Sequence, residues 1–156
     1  MKKLLAFLLV LLLAVPAATA ETPICVDLGS FRVALTSDFY DATEQFDMEM
    51  YVSQDGLTLV PVYQDGDMSQ LIKATDEETF ATIEDTLIKP TARVATRLAA
   101  EKSGGCYKVA CVTVGEENGF TVAAVTPTSV LVCIVPAVGS DSVYFAQYLV
   151  EGIFVK

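Results

Sequence analysis

Four cysteines, Cys25, Cys106, Cys111 and Cys133, and twenty carboxylates are the side chains of this 156-residue sequence that could do chemistry; there is no histidine. Without imidazole there is no Ser-His-Asp or Cys-His nucleophile and no histidine metal ligand. The thiols lack a Cys-x-x-Cys arrangement and any imidazole to lower their pKa. They therefore read as structural, either packed in a core or joined in disulfides. Four cysteines allow three connectivities.

The acids offer two further chemistries. Asp65-Gly66-Asp67 and the acid-rich stretch 38–47 carry oxygen ligands of the kind Ca²⁺ takes, without the EF-hand spacing. Solubility is the plainer reading of these acids, and no motif requires a cofactor. A pair of carboxylates suffices for glycoside hydrolysis, but no Trp is present to stack on a sugar and nothing singles out one pair. The phosphate-binding and nucleophile-elbow patterns GxxxxGK, GxGxxG and GxSxG are missing.

The bases are unevenly placed. Lys73, Lys89, Arg93, Arg97, Lys102 and Lys108 follow one another, whereas 21–72 holds ten acids and only Arg32. Lys89, Arg93 and Arg97 are four apart, so a helix running through Pro90 would align them in one stripe. That stripe is either a solvated face balancing Glu84, Asp85 and Glu101, or a dock for an anionic partner. The net charge of −10 opposes non-specific binding to nucleic acid or to an anionic membrane.

The elements that position these residues begin after a leader. Lys2 and Lys3 precede an apolar run over 4–15, then Pro16 and Ala18-Thr19-Ala20. That order is a secretory signal, with cleavage expected after Ala20. The apolar run is shorter than the about 20 residues a membrane span needs. The expected domains are a signal peptide over 1–20 and one globular domain over 21–156, with no membrane span left after cleavage. Loss of Lys2 and Lys3 takes the net charge to −12.

Alternation predicts strands over 30–36 and 46–52. Asp55-Gly56 predicts a hairpin into a strand over 57–63, placed at an edge or bulge by Pro61 and closed by Asp65-Gly66. Thr75 and Glu78 have capping-box spacing, and Phe80, Ile83 and Leu87 share one helix face. Pro90 breaks or kinks this helix between 88 and 92. A second helical stretch carries Val94 and Leu98 and stops at Ser103-Gly104-Gly105. Runs over 107–114, 120–125 and 129–135 predict a three-strand meander. A short helix over 143–151 and an apolar tail over 153–155 close the chain. Strands, helices, strands, helix in that order argue an α+β fold, an antiparallel sheet with packed helices.

The meander constrains the thiols. If Val114 faces Gly119 and Val125 faces Val130, Val122 lies between Cys111 and Cys133. Those two then sit two strands apart, roughly 9–10 Å, beyond disulfide reach, and both should be buried. Cys106 and Cys111 are too far apart along one strand. Elimination leaves a bridge between Cys25 and Cys106.

The segment 29–40, Gly-Ser-Phe-Arg-Val-Ala-Leu-Thr-Ser-Asp-Phe-Tyr, resembles the first strand of small secreted bacterial domains of the PsbP-like type. The two Asp-Gly turns, the central helix, the meander and the closing segment 143–155 occur in similar order. The resemblance implies the fold and carries over no active site. The expected function is a secreted, non-catalytic binding or accessory domain acting at the cell envelope or outside the cell, on a protein or envelope component. The alternative is a small carboxylate-dependent extracellular hydrolase.

Overall fold

The computed structural model describes residues 23–36, 38–115, 118–136 and 141–156; the expected leader and its cleavage point lie outside the described residues. The chain runs β1 (Ile24–Leu28), β2 (Phe31–Leu35), β3 (Phe39–Asp41), α1 (Thr43–Phe46), β4 (Tyr51–Ser53) and β5 (Thr58–Asp65). A 3₁₀ turn (Ser69–Leu71), α2 (Asp76–Ile83), a π turn (Glu84–Ile88) and a second 3₁₀ turn (Lys89–Thr91) follow. The rest is β6 (Val94–Ser103), β7 (Cys106–Val114), β8 (Gly119–Thr126), β9 (Ser129–Pro136), α3 (Asp141–Gly152) and β10 (Ile153–Val155).

The strands form two antiparallel sheets, β1-β2-β10 and β3-β4-β5-β9-β8-β7-β6. This is the α+β architecture expected. One face of the large sheet packs Ala110, Val122, Leu131 and Cys133 against Phe145, Ala146 and Leu149 of α3 and Phe31, Val33 and Ile153 of the small sheet. The other packs Val109, Cys111, Ala123 and Val125 against Ile83, Ile88, Met68 and Leu71. Alternation along each strand feeds both cores at once, which is why β7, β8 and β9 are Val-rich with little polar interruption.

Helix α2 starts as its sequence requires. The Thr75 side chain accepts from the Glu78 amide while the Glu78 carboxylate accepts from the Thr75 amide, a full capping box. Asp76, Glu77 and Glu78 occupy the first turn, the positive end of the helix dipole. The helix loosens into the π turn and ends in the 3₁₀ turn holding Pro90, with Ala92 already extended. The break expected there is present.

Four readings change. Residues 94–103 form a strand, not a helix: β6 pairs with β7 from Val94 opposite Val114 to Ser103 opposite Cys106. Gly104 and Gly105, at φ 58° and 77°, make its hairpin turn, since two successive left-handed residues suit the right-handed twist of paired strands. The strand expected over 46–52 shrinks to β4, because residues 43–46 make one helical turn that Asp47 ends at φ 54°. The strand expected first, over 30–36, is preceded by another, β1, which holds Cys25 opposite Ala34. Lastly, β5 is interior, between β4 and β9. Its proline is tolerated because β4 reaches only Thr58 and Leu59, while Pro61 lies beyond, opposite Cys133 of β9. At Pro61 the β4 side of the strand is locally an edge.

Candidate functional site

Arg97 and Lys102 of β6 face α2. The Arg97 Nη1 lies 2.8 Å from Glu77 Oε1, its Nε contacts Glu84, and its guanidinium stacks 5.8 Å from the Phe80 ring centre. The Lys102 Nζ is 2.7 Å from Asp76 Oδ1 and 4.8 Å from the Tyr107 ring centre, and the Tyr107 hydroxyl donates to the same Asp76 at 3.0 Å. Lys102 holds the Asp76 carboxyl below its usual range, and Asp76 raises Lys102 to about 12. This is a clamp between helix and hairpin.

The stripe expected from Lys89, Arg93 and Arg97 is therefore not formed. Lys89 sits in a 3₁₀ turn and pairs with Asp85. Arg93 precedes β6, exposed, with its amide bonded to the Val114 carbonyl. Helical spacing has no meaning on a strand, and intramolecular acids already neutralise Lys89 and Arg97.

On the opposite face of β7, Lys108 is buried at 1% side-chain exposure, its Nζ 3.0 Å from Glu101 Oε1 and 3.4 Å from the Ile153 carbonyl. A depression of about 390 Å³ opens beside it, lined by Glu101, Ser103, Glu151 and Phe154 among others. A second of about 360 Å³ shares Glu101 and Glu151 and runs along Ala99, Gln147 and Val150. Hydrogen bonds from Ser103 and Lys108 hold the Glu101 carboxyl below its ordinary value. A carboxylate kept ionised in this way is poorly suited to donate a proton at neutral pH. Lys108 escapes a reading by motif. Its one signal is a cation at a core-facing position of an otherwise apolar run.

The thiols do not form a site. All four are free: Cys25 is exposed, while Cys106, Cys111 and Cys133 are buried. The expected Cys25 with Cys106 bridge is not present: Cys25 is exposed on β1, while Cys106 is buried at 1% exposure. Burial pushes Cys106 and Cys111 up to about 11 and Cys133 to about 12. Four of the suspected calcium ligands bond to the chain itself. Asp67 accepts from the Ser69 amide, Asp41 from the Thr43 amide, Asp65 from the Tyr63 hydroxyl and Asp38 from the Thr36 hydroxyl. Among the described residues no group of three or more Cys, Asp or Glu is placed to hold a metal ion.

Among the described residues, part of one face of the large sheet is left bare. Helix α2 and the π turn cover it over β6, β7 and β8, and Val132 of β9 packs at their margin. Beyond that margin the register places Ile134 opposite Val60, Val132 opposite Val62, Val52 opposite Thr58 and Tyr40 opposite Val52, all on the same face. Val62 is 54% exposed, Tyr40 47% and Ile134 41%. Strands β5 and β9 are apolar on both faces, the pattern of strands covered on both sides, yet here one side is open. That doubled pattern is the readable signal of the face, and it is lost when the runs serve only to assign strands. Phe46 and Met48, in the turn leading to β4, are also exposed. Between Arg32 and Lys73 there is no Lys or Arg, while Asp38, Glu44, Asp47 and Asp55 flank β3 and β4 along the chain.

No family model matches the sequence, and no curated protein is detectably similar to it. Solved structures share the fold. A point mutant of the protein Mog1 superposes with a TM-score of 0.55 at 13% identity, covering 86% of this chain and 96% of that one. Cyanobacterial PsbP (CyanoP) from Synechocystis sp. PCC 6803, a solution structure, superposes with a TM-score of 0.51 at 10% identity, covering 92% and 98%. The fold is PsbP-like, as the resemblance of 29–40 and the order of elements implied.

Proposed function

We propose that this protein is a non-catalytic accessory domain that acts outside the cytoplasm by docking on a partner protein through the bare half-face of its large sheet. The observation that carries this reading is that face: Tyr40, Val62 and Ile134 lie exposed on strands whose pattern calls for a cover. An exposed contiguous apolar patch of this kind marks interaction surfaces. The leader over 1–20 supports secretion, and the partners of Glu101, Asp76 and Glu84 support carboxylates in structural rather than acid–base roles.

A photo-reactive residue placed at Val62 or Ile134 in the producing cells tests the docking. Adducts at these positions and not at exposed Thr128 are expected. A folded protein that yields no face-specific adduct overturns the reading. Intact-mass analysis of the secreted protein tests export separately, with the N-terminus expected at Glu21.

A further inference from the structure

We propose that the occupant of the bare half-face is an amphipathic helix of a partner protein, with one apolar stripe and Lys or Arg along its flanks. This rests on the docking function above and names the chemistry of the partner.

The other half of the same face shows what such a surface accepts. There the protein covers Val109, Cys111, Ala123 and Val125 with its own helical segment, through Ile83 and Ile88. The sheet surface then continues through Val132 into Ile134, Val60, Val62, Val52 and Tyr40 with no such cover among the described residues. A second helix laid beside α2 would extend the existing layer. The edges make poorer seats. β6 is bulged between Arg97 and Ala99 and carries charges, which blunts strand addition, and β3 has three residues.

Charge selects the partner further. Of the strands that form the bare half-face, β3, β4 and β5 lie in a stretch of sequence without a cation, and Asp38, Glu44, Asp47 and Asp55 flank β3 and β4 along the chain. The preceding Arg32 is tied to Asp27 at 2.9 Å. A second copy of this chain would set acid against acid, with −12 on each molecule once the leader is removed, and an anionic lipid surface would be repelled in the same way. A helix with basic flanks puts its apolar stripe on the valines and brings its cations to the cation-free stretch that carries Asp38, Glu44, Asp47 and Asp55. Complementary fields of this kind set orientation and association rate.

The test uses the purified secreted protein and three synthetic helical peptides. One has an apolar stripe with Lys and Arg flanks, one the same stripe with Glu flanks, and one the basic composition scrambled so that no stripe forms. Calorimetric titration should show binding of the first alone, weakening as salt rises from about 0.05 to about 0.5 M. Val62→Thr with Ile134→Thr should weaken it at least tenfold while circular dichroism stays unchanged, since both positions are exposed and Thr suits a strand. Tyr40→Ser gives an independent variant. The partner chemistry is overturned if the Glu-flanked or scrambled peptide binds as well, if the substitutions leave binding intact, or if the protein instead dimerises through this face or binds phosphatidylcholine vesicles. Face-specific cross-links in cells without peptide binding would leave the docking function standing and remove only the basic helix.

Discussion

The Lys108 ammonium, on the large sheet, sits 3.4 Å from the carbonyl oxygen of Ile153, the first residue of the last strand of the small sheet. A single buried cation thus ties the two sheets at the point where α3 hands over to β10. Glu101, its cross-strand partner on β6, supplies the counter-charge at 3.0 Å.

Removing that cation should therefore loosen the small sheet before the large one. Lys108→Ala leaves the Ile153 carbonyl without its partner and opens a void, at an expected cost of about 2–4 kcal/mol. Lys108→Met keeps the volume and should cost about 1–2 kcal/mol less. Urea unfolding gives the totals. Hydrogen exchange should show early loss of protection in Phe31 to Val33, where β2 meets β10. Both variants within about 0.5 kcal/mol of the parent, with unchanged exchange, would refute the tie.

The same cluster makes stability depend on acid. The Glu101 carboxyl is held below its ordinary value by Ser103 and then Lys108, so its contribution is fully present above the unfolded carboxylate pKa, about 4.3. It disappears as pH falls through the lower folded value. Glu101→Gln lacks the contribution at every pH. Urea unfolding at about pH 7 and about pH 3 should show parent and variant apart at the first pH and converging at the second. A constant gap would show that Glu101 is not perturbed by folding.

The legible parts of the fold are those where local and tertiary signals agree. The capping box of Thr75 and Glu78, the break at Pro90 and the Val-rich meander all rest on backbone rules that tertiary contacts do not reverse. Residues 94–103 fail for a definable reason. Ala95, Ala99, Ala100, Glu101 and Lys102 favour helix, and the bulge between Arg97 and Ala99 interrupts the alternation that would have marked a strand. Pairing with β7 decides the outcome. In the meander the register between β7 and β8 is offset by one, with Thr113 rather than Val114 opposite Gly119. One residue of offset turns a side chain to the other face, so Val122 faces Ala110 and Cys111 faces Thr121. The bare half-face is marked in β5 and β9 by apolar residues on both faces, but that pattern calls for a cover without saying whether the protein's own helices supply it.

The hairpin at Gly104 and Gly105 distinguishes the strand from the helix directly. Both residues have positive φ, 58° and 77°, and a Cβ at either would meet nothing within 4 Å. The cost of alanine is then backbone strain alone, about 1 kcal/mol at each position. Gly104→Asn should cost less, since Asn tolerates the left-handed region. A helix stopping at Ser103 would need a left-handed residue at Gly104 alone, so a cost at Gly105 as well is what separates the hairpin from the helix. Thermal unfolding of the three variants reads the sign.

The thiols follow from the offset register. Cys111 packs on the α2 side of the sheet and Cys133 on the α3 side, so the sheet itself separates them and no oxidant should join them without unfolding. Cys106 and Cys111 at about 11, and Cys133 at about 12, keep only a small thiolate fraction at neutral pH, and the thiolate is the reactive form. Cys25 is exposed on β1. A disulfide reagent added to the native protein should therefore modify one thiol quickly and the other three only in denaturant, and Cys25→Ser should abolish the fast phase. Non-reducing peptide mapping should recover no intramolecular disulfide from protein kept under reducing conditions during purification and then oxidised in the folded state. A recovered Cys25 with Cys106 peptide would show that β1 can leave the small sheet to reach the core. A Cys111 with Cys133 peptide would overturn the register between β7 and β8.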